Sequence, residues 1–238
     1  MRYQLKIPAR INILGNPSDA NEGDFATISA AVDLFAHASI KYFNGIVIEQ
    51  LEKNGYYKKL VSRQEFKSSQ IPLPYDRNLD LIKGAINRLW KYSLEFREKI
   101  KENGVKISTW TDIPRQSGLG GSTLFILLTL GGLRQLFELD NYTHNDYVLA
   151  ELTQRVEAKE LGITCGYADR YVPLFGGIAY LDYRGKLHQL GMQDEPYTTY
   201  ERLDPWVESL PLVAISSGIP HNSGDVHGQM RPRYIVEH

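Results

Sequence analysis

The chain has 238 residues, 42% of them apolar and 23% charged, with a net charge of −1. That length suits one large domain or two small ones, and the near-neutral charge gives no broad footprint for nucleic acid or an anionic membrane. The single cysteine, Cys165, excludes an internal disulfide framework and a multi-cysteine zinc site and points to the cytoplasm, while no apolar run reaches the roughly 18 residues a bilayer span needs.

Residues 2–14 alternate and predict a strand that enters a turn at 15–19. Residues 25–52, rich in Ile, Val, Phe and Ala, predict two or three more strands, and Asn54-Gly55 predicts a hairpin between 46–51 and 56–61. Residues 62–78 read as loop. Leu79, Ile82, Ile86, Leu89 and Trp90 follow helical spacing and predict an amphipathic helix over 78–92, with a further turn or two before Asn103-Gly104. The alternating stretch 105–110 predicts a strand that delivers the chain to a glycine turn. Helix 122–138 is nearly all apolar, which predicts a buried central position. Thr143 with Asp146 resembles a capping arrangement for a helix that runs to Leu161 and stops at Gly162. A short helical piece over 166–172, Gly176-Gly177, a strand over 178–183, a turn at Arg184-Gly185 and a strand over 186–190 follow. Residues 191–210 read as polar and irregular, and 212–216 as a last strand. The pattern predicts an α+β fold.

The glycine turn, Pro114-Arg-Gln-Ser-Gly-Leu-Gly-Gly-Ser-Thr123, carries the most chemistry. Gly118, Gly120 and Gly121 let the backbone bend tightly and approach a ligand, and the helix behind them offers unpaired N–H groups and a partial positive charge. That combination makes an anion site, most often for phosphate. Taken alone, the same turn serves equally well as a flexible helix entry. It is not a Walker A loop, because no Gly-Lys-Ser/Thr follows, and not a dinucleotide fingerprint, because Thr123 occupies the third glycine position.

The turn resembles the second motif of the GHMP kinases, Pro-x-x-x-Gly-Leu-Gly/Ser-Ser-Ser. Pro114, Gly118, Leu119, Gly120 and Ser122 match it, and Gly121 departs from it. Arg10-Ile-Asn-Ile-Leu-Gly-Asn-Pro-Ser-Asp19 is similar to the family's first motif, the Arg-Val-Asn-Leu-Ile-Gly-Glu-His-Thr-Asp run of galactokinases. Glu157-Ala-Lys-Glu-Leu-Gly-Ile-Thr-Cys-Gly-Tyr-Ala-Asp169 is similar to the segment carrying a magnesium ligand and a catalytic aspartate. Three motifs occur in order across residues 10–170. Asn16-Pro-Ser-Asp, Asp169-Arg170 and the tail Asn222-Ser-Gly-Asp-Val-His227 look most like the glucuronokinase-like sugar 1-kinases.

The resemblance implies an α+β GHMP kinase N-terminal domain of the ribosomal protein S5 domain 2-like type over 1–208, and the beginning of an incomplete ferredoxin-like domain over 209–238. It implies a kinase that uses ATP and Mg²⁺ to phosphorylate a sugar or uronic acid, most specifically at the anomeric hydroxyl. Asp169 and Arg10 are the implied catalytic pair. Pro114, Ser117, Gly118, Leu119, Gly120, Gly121, Ser122 and Thr123 would hold ATP, with Ser122 and Glu157 on the metal. Read alone, Glu157 sits among Arg155, Lys159 and Glu160 like a solvated helix face, and the twelve-residue spacing to Asp169 reverses that reading. Asp19 would meet sugar hydroxyls, and Arg170 or Arg115 a substrate carboxylate. Neither nucleic acid nor membrane is an expected partner. Nothing after residue 190 resembles the family's third glycine-rich motif, which leaves open a missing domain, self-association through an unfinished sheet, or a catalytically silent relative that binds sugar and ATP.

Overall fold

Among the described residues, seven strands form one mixed sheet and five α-helices accompany it. The computed structural model describes residues 1–16, 26–163, 165–183, 198–207, 210–213, 215, 229 and 233. The strands are β1 (Arg2–Leu14), β2 (Ala26–Phe43), β3 (Ile46–Asn54), β4 (Tyr57–Phe66), β5 (Gly104–Thr111), β6 (Ile178–Asp182) and β7 (Thr199–Arg202). The helices are α1 (Asp80–Tyr92), α2 (Leu94–Glu102), α3 (Gly121–Leu136), α4 (Asp146–Arg155) and α5 (Ala168–Phe175). The sheet order is β4-β3-β5-β2-β6-β7, with β1 on β2. β3 and β5 pair in parallel, and the other pairs are antiparallel. A parallel pair needs a crossover, which β4, α1 and α2 supply.

The main core lies between the helices and one face of the sheet. Ile40, Ile46, Ile48, Val105 and Ile107 from the strands meet Ile82, Ile86 and Leu89 of α1 and Leu130, Leu133 and Leu136 of α3. Gly132 permits the close approach of α3 to β2, since a Cβ there would lie 3.3 Å from Ile40. β2 serves two neighbours along one edge, β6 through Ala26–Ala30 and β5 through Ala36–Phe43, while β1 runs along the other. The β1–β2 register shifts between Pro8 and Ala9, where Val32 rather than Leu34 faces Ala9. Such a bulge bends the strand and re-aims the side chains beyond it. Arg10 is two residues past Pro8.

Several sequence expectations need correction. The hairpin loop is Gly55-Tyr56, one residue later than Asn54-Gly55, because Asn54 still pairs with Tyr57. Residues 62–66 continue β4 rather than starting a loop. The α4 cap is Asn145, whose side chain accepts from the Val148 N–H at 3.0 Å; Thr143 instead donates to Asp140 at 2.9 Å. Residues 199–202, read as irregular, form β7 on β6. Residues 210–213 and 215 are not in a strand, and the strand expected over 186–190 and the tail motif lie outside the described residues. Among the described residues no helix is long and apolar enough to cross a membrane.

Candidate active site

The glycine turn hangs between β5 and α3. Gly118 and Gly120 both have φ of 74°, in the left-handed region that favours glycine. Gly120 is the N-cap of α3 and supplies no side-chain cap, so the first N–H groups of the helix stay available to an anion. Arg10 locks the turn from below. Its Nη1 donates to the Gly118 carbonyl at 2.6 Å, and its Nε donates to Asp169 Oδ1 at 2.8 Å, with Nη2 on the same oxygen. Arg10 is buried and its partner carboxylate is 28% exposed, so one charged fork joins β1, the turn and α5 at a half-open surface. Gly120→Ala is expected to lower stability by roughly 1–2 kcal/mol through the left-handed backbone. The new Cβ would reach the Arg10 guanidinium at 3.4 Å, and a lower Tm in thermal denaturation is the expected result.

Behind the turn stands Glu157. The helix that begins as α4 widens into a π turn at Val156–Glu160, a local expansion common at functional sites. Glu157 is buried there and accepts a hydrogen bond from Thr123 Oγ1 at 2.8 Å. Burial pushes its carboxyl up to about 7 from an ordinary 4.5; Asp169 adds to the rise, while the Thr123 hydrogen bond and Arg170 oppose it. A buried carboxylate this poorly compensated suits a cation. Among the described residues no cluster of three His, Cys, Asp or Glu side chains cages a metal. One carboxylate beside hydroxyls and phosphate oxygens is the donor set of a hard cation such as Mg²⁺.

The remaining expected site residues divide. Ser122 is exposed at the start of α3, while Thr123 is buried with its hydroxyl committed to Glu157 rather than open to a phosphate. Ser117, Leu119 and Gly121 are partly exposed along the turn, and Pro114 is exposed at its entry. Arg170 is fully buried, donates from Nη1 to the Gly166 carbonyl at 2.8 Å, and lies over the Tyr167 ring, while its Nε and Nη2 have no hydrogen-bond partner among the described residues. Its neighbours Glu151 and Glu157 help hold its charge inside the protein. Asp19 lies outside the described residues. Burial pushes the Cys165 thiol up to about 12, which makes it a poor nucleophile at neutral pH.

Sequence reasoning missed a cleft of about 390 Å³ that opens beside Ser122. Its walls are Leu79, Leu81 and Ile82 of the α1 entry, Phe125 of α3, and Leu161 and Ile163 after the π turn. No local signal marks it, because these segments are far apart in the chain.

Fold and site together define an α+β domain built around a glycine-rich anion cradle. Residues 80–177 match the family model of the GHMP kinases N terminal domain, a stretch that contains the turn, Glu157 and Asp169. Glucuronokinase 1 of Arabidopsis thaliana is 30% identical over 95% of this chain and 60% of its own length. The D-glycero-alpha-D-manno-heptose 7-phosphate kinase of Campylobacter jejuni is 29% identical over 74% of this chain and 49% of its own. The chain thus spans about half to three-fifths of these relatives. The crystal structure of a D-glycero-D-manno-heptose 1-phosphate kinase from Bacteroides thetaiotaomicron superposes with a TM-score of 0.63 at 25% identity, covering 84% of this chain and 59% of that one. The Methanococcus jannaschii mevalonate kinase, at 17% identity and a TM-score of 0.63 over 85% of this chain and 56% of that one, shares the fold.

Proposed function

We propose that this chain carries the nucleotide half of an ATP- and Mg²⁺-dependent kinase that phosphorylates a hydroxyl of a sugar or uronic acid, most specifically the anomeric one. The observation that carries this reading is the Arg10 fork, which ties Asp169 to the Gly118 carbonyl of the anion cradle. Phosphoryl transfer asks a protein mainly for positioning and charge neutralisation. Backbone N–H groups along 118–123 bind phosphate oxygens. Both Arg10 contacts use Oδ1 of Asp169, so Oδ2 is not engaged by Arg10 and faces the work of orienting an acceptor hydroxyl and taking its proton. Arg10 holds that carboxylate in place and stabilises charge on the transferring group. Ser122 and Glu157 would hold the metal, which when bound neutralises phosphate charge. The cleft beside Ser122 takes the base. For a uronic acid, Arg115, exposed in the glycine turn, or the buried Arg170 beside Asp169 would meet the carboxylate. The same reading assigns residues 1–208 to the ATP-binding domain and 209–238 to the start of a second.

The names of the relatives support a sugar acceptor. A coupled ADP-release assay against glucuronate, galacturonate, galactose, heptose 7-phosphate and mevalonate tests it. Sugar-dependent ADP release, absent with mevalonate, is the expected result. ADP binding without turnover on any acceptor would instead make this a silent nucleotide-binding relative.

A further inference from the structure

The cleft beside Ser122 has one apolar wall and one rim of a different kind. The rim is the segment 76–80, where two non-glycine residues stand in the left-handed region, Arg77 at φ 68° and Leu79 at φ 58°. Bulky residues avoid that region, and it persists only where the surroundings enforce it, most often at ligand clamps. The enforcement here is visible. The Asp80 carboxylate accepts from the Arg77 N–H at 2.8 Å and the Asp76 N–H at 3.2 Å. Lys83, fully buried, pairs with Asp80 at 2.7 Å and donates to Asp76 at 2.5 Å. Gln64 and Ser62 of β4 tether Asp76 and Asn78 from the other side at 2.7 Å and 2.8 Å.

All of this fixes the backbone of Arg77 and none of it uses the side chain. Arg77 is exposed and lines the cleft, and among the described residues its guanidinium has no ion pair. The cleft is continuous with the anion cradle, because Ser122 and Phe125 belong to the first turns of α3. A group whose phosphates sat on the cradle would have its base within reach of this cleft, which Phe125, Leu79 and Ile163 line together with Arg77.

We propose that Arg77 is a nucleotide-binding residue whose guanidinium stacks over the base in this cleft and closes its open side. The inference rests on the nucleotide reading given above and adds to it the residue that grips the base. A planar guanidinium suits the face of a purine, and stacking there needs no charge on the ligand. The contact is with the nucleoside, so adenosine feels it as much as ADP does.

The test titrates ADP and adenosine into the full chain as wild type, Arg77→Ala and Arg77→Gly, with Tm measured in parallel. Both variants are expected to weaken ADP and adenosine alike, by about five- to tenfold. Arg77→Gly is also expected to raise Tm, since glycine relieves the φ of 68°. A merely structural arginine would move Tm and leave affinity unchanged, which overturns the inference while the nucleotide reading stands. Loss confined to ADP would put the guanidinium on phosphate and likewise overturn the stacking role. Failure of the wild type to bind either compound would overturn both readings.

Discussion

Asp169→Asn is expected to cut sugar-dependent turnover by about a thousandfold while ADP affinity stays within about twofold. Asparagine keeps the size and the acceptor oxygen, so Arg10 still finds a hydrogen bond, but the group can no longer take a proton. The proposed nucleotide contacts lie on the cradle and in the cleft, so binding is expected to survive. Stability should fall by roughly 1–3 kcal/mol, because the buried Arg10 loses its counter-charge and keeps the Gly118 carbonyl. Arg10→Lys should cost nearly as much turnover, since a single ammonium cannot span Gly118 and Asp169 together. The double variant should be little worse than either single one, the mark of residues acting as a unit. Unchanged turnover in Asp169→Asn would remove this carboxylate from the chemistry.

What the chain discloses in advance follows physical range. β1, the β3–β4 hairpin, α1, β5 and α3 were legible because alternation, helical spacing and glycine act over a few residues. The residues now gathered at the site were legible as ordered motifs, not as contacts: nothing local says that Arg10 meets an aspartate 159 positions later. β7 escaped because its four residues, Thr-Tyr-Glu-Arg, are set by pairing with β6 rather than by their own pattern. Thr143 and Asn145 both make good caps, and it is the Asn145 side chain that accepts from the Val148 N–H. Arg170 follows Asp169 directly, and the default for an arginine is exposure. Only the carbonyl of Gly166 and the acids around it explain its burial. The left-handed Arg77 and Leu79 lie beside the turn residues Asp76 and Asn78, but their conformation is held by the Asp80 carboxylate and the buried Lys83 that pairs with it, which no local pattern announces.

Glu157→Gln separates the demands of function from those of stability. The carboxyl is raised to about 7 in the folded protein against an ordinary 4.5, chiefly by burial. An acid raised on folding is bound to its proton longer in the native state than in the unfolded one. Its contribution is therefore fully present below about pH 4.5 and is lost as pH climbs through about 7, a fall of roughly 3 kcal/mol for a shift of this size. The glutamine variant, neutral at every pH and able to keep the Thr123 contact, escapes that loss. Without metal, its Tm is expected to match wild type near pH 5 and exceed it at pH 8. Turnover should move the other way and fall at least a hundredfold, because an amide is a poor ligand for Mg²⁺. Added Mg²⁺ with ADP should stabilise the wild type at pH 8 far more than the variant, since only an ionised carboxylate gains from the cation. Equal Tm profiles across pH 5–8 would show that Glu157 is not the buried, uncompensated group the structure describes. That pair of outcomes, a glutamate that costs stability in the empty protein at working pH and gains it with the cation, would mark Glu157 as placed for a ligand and not for the fold.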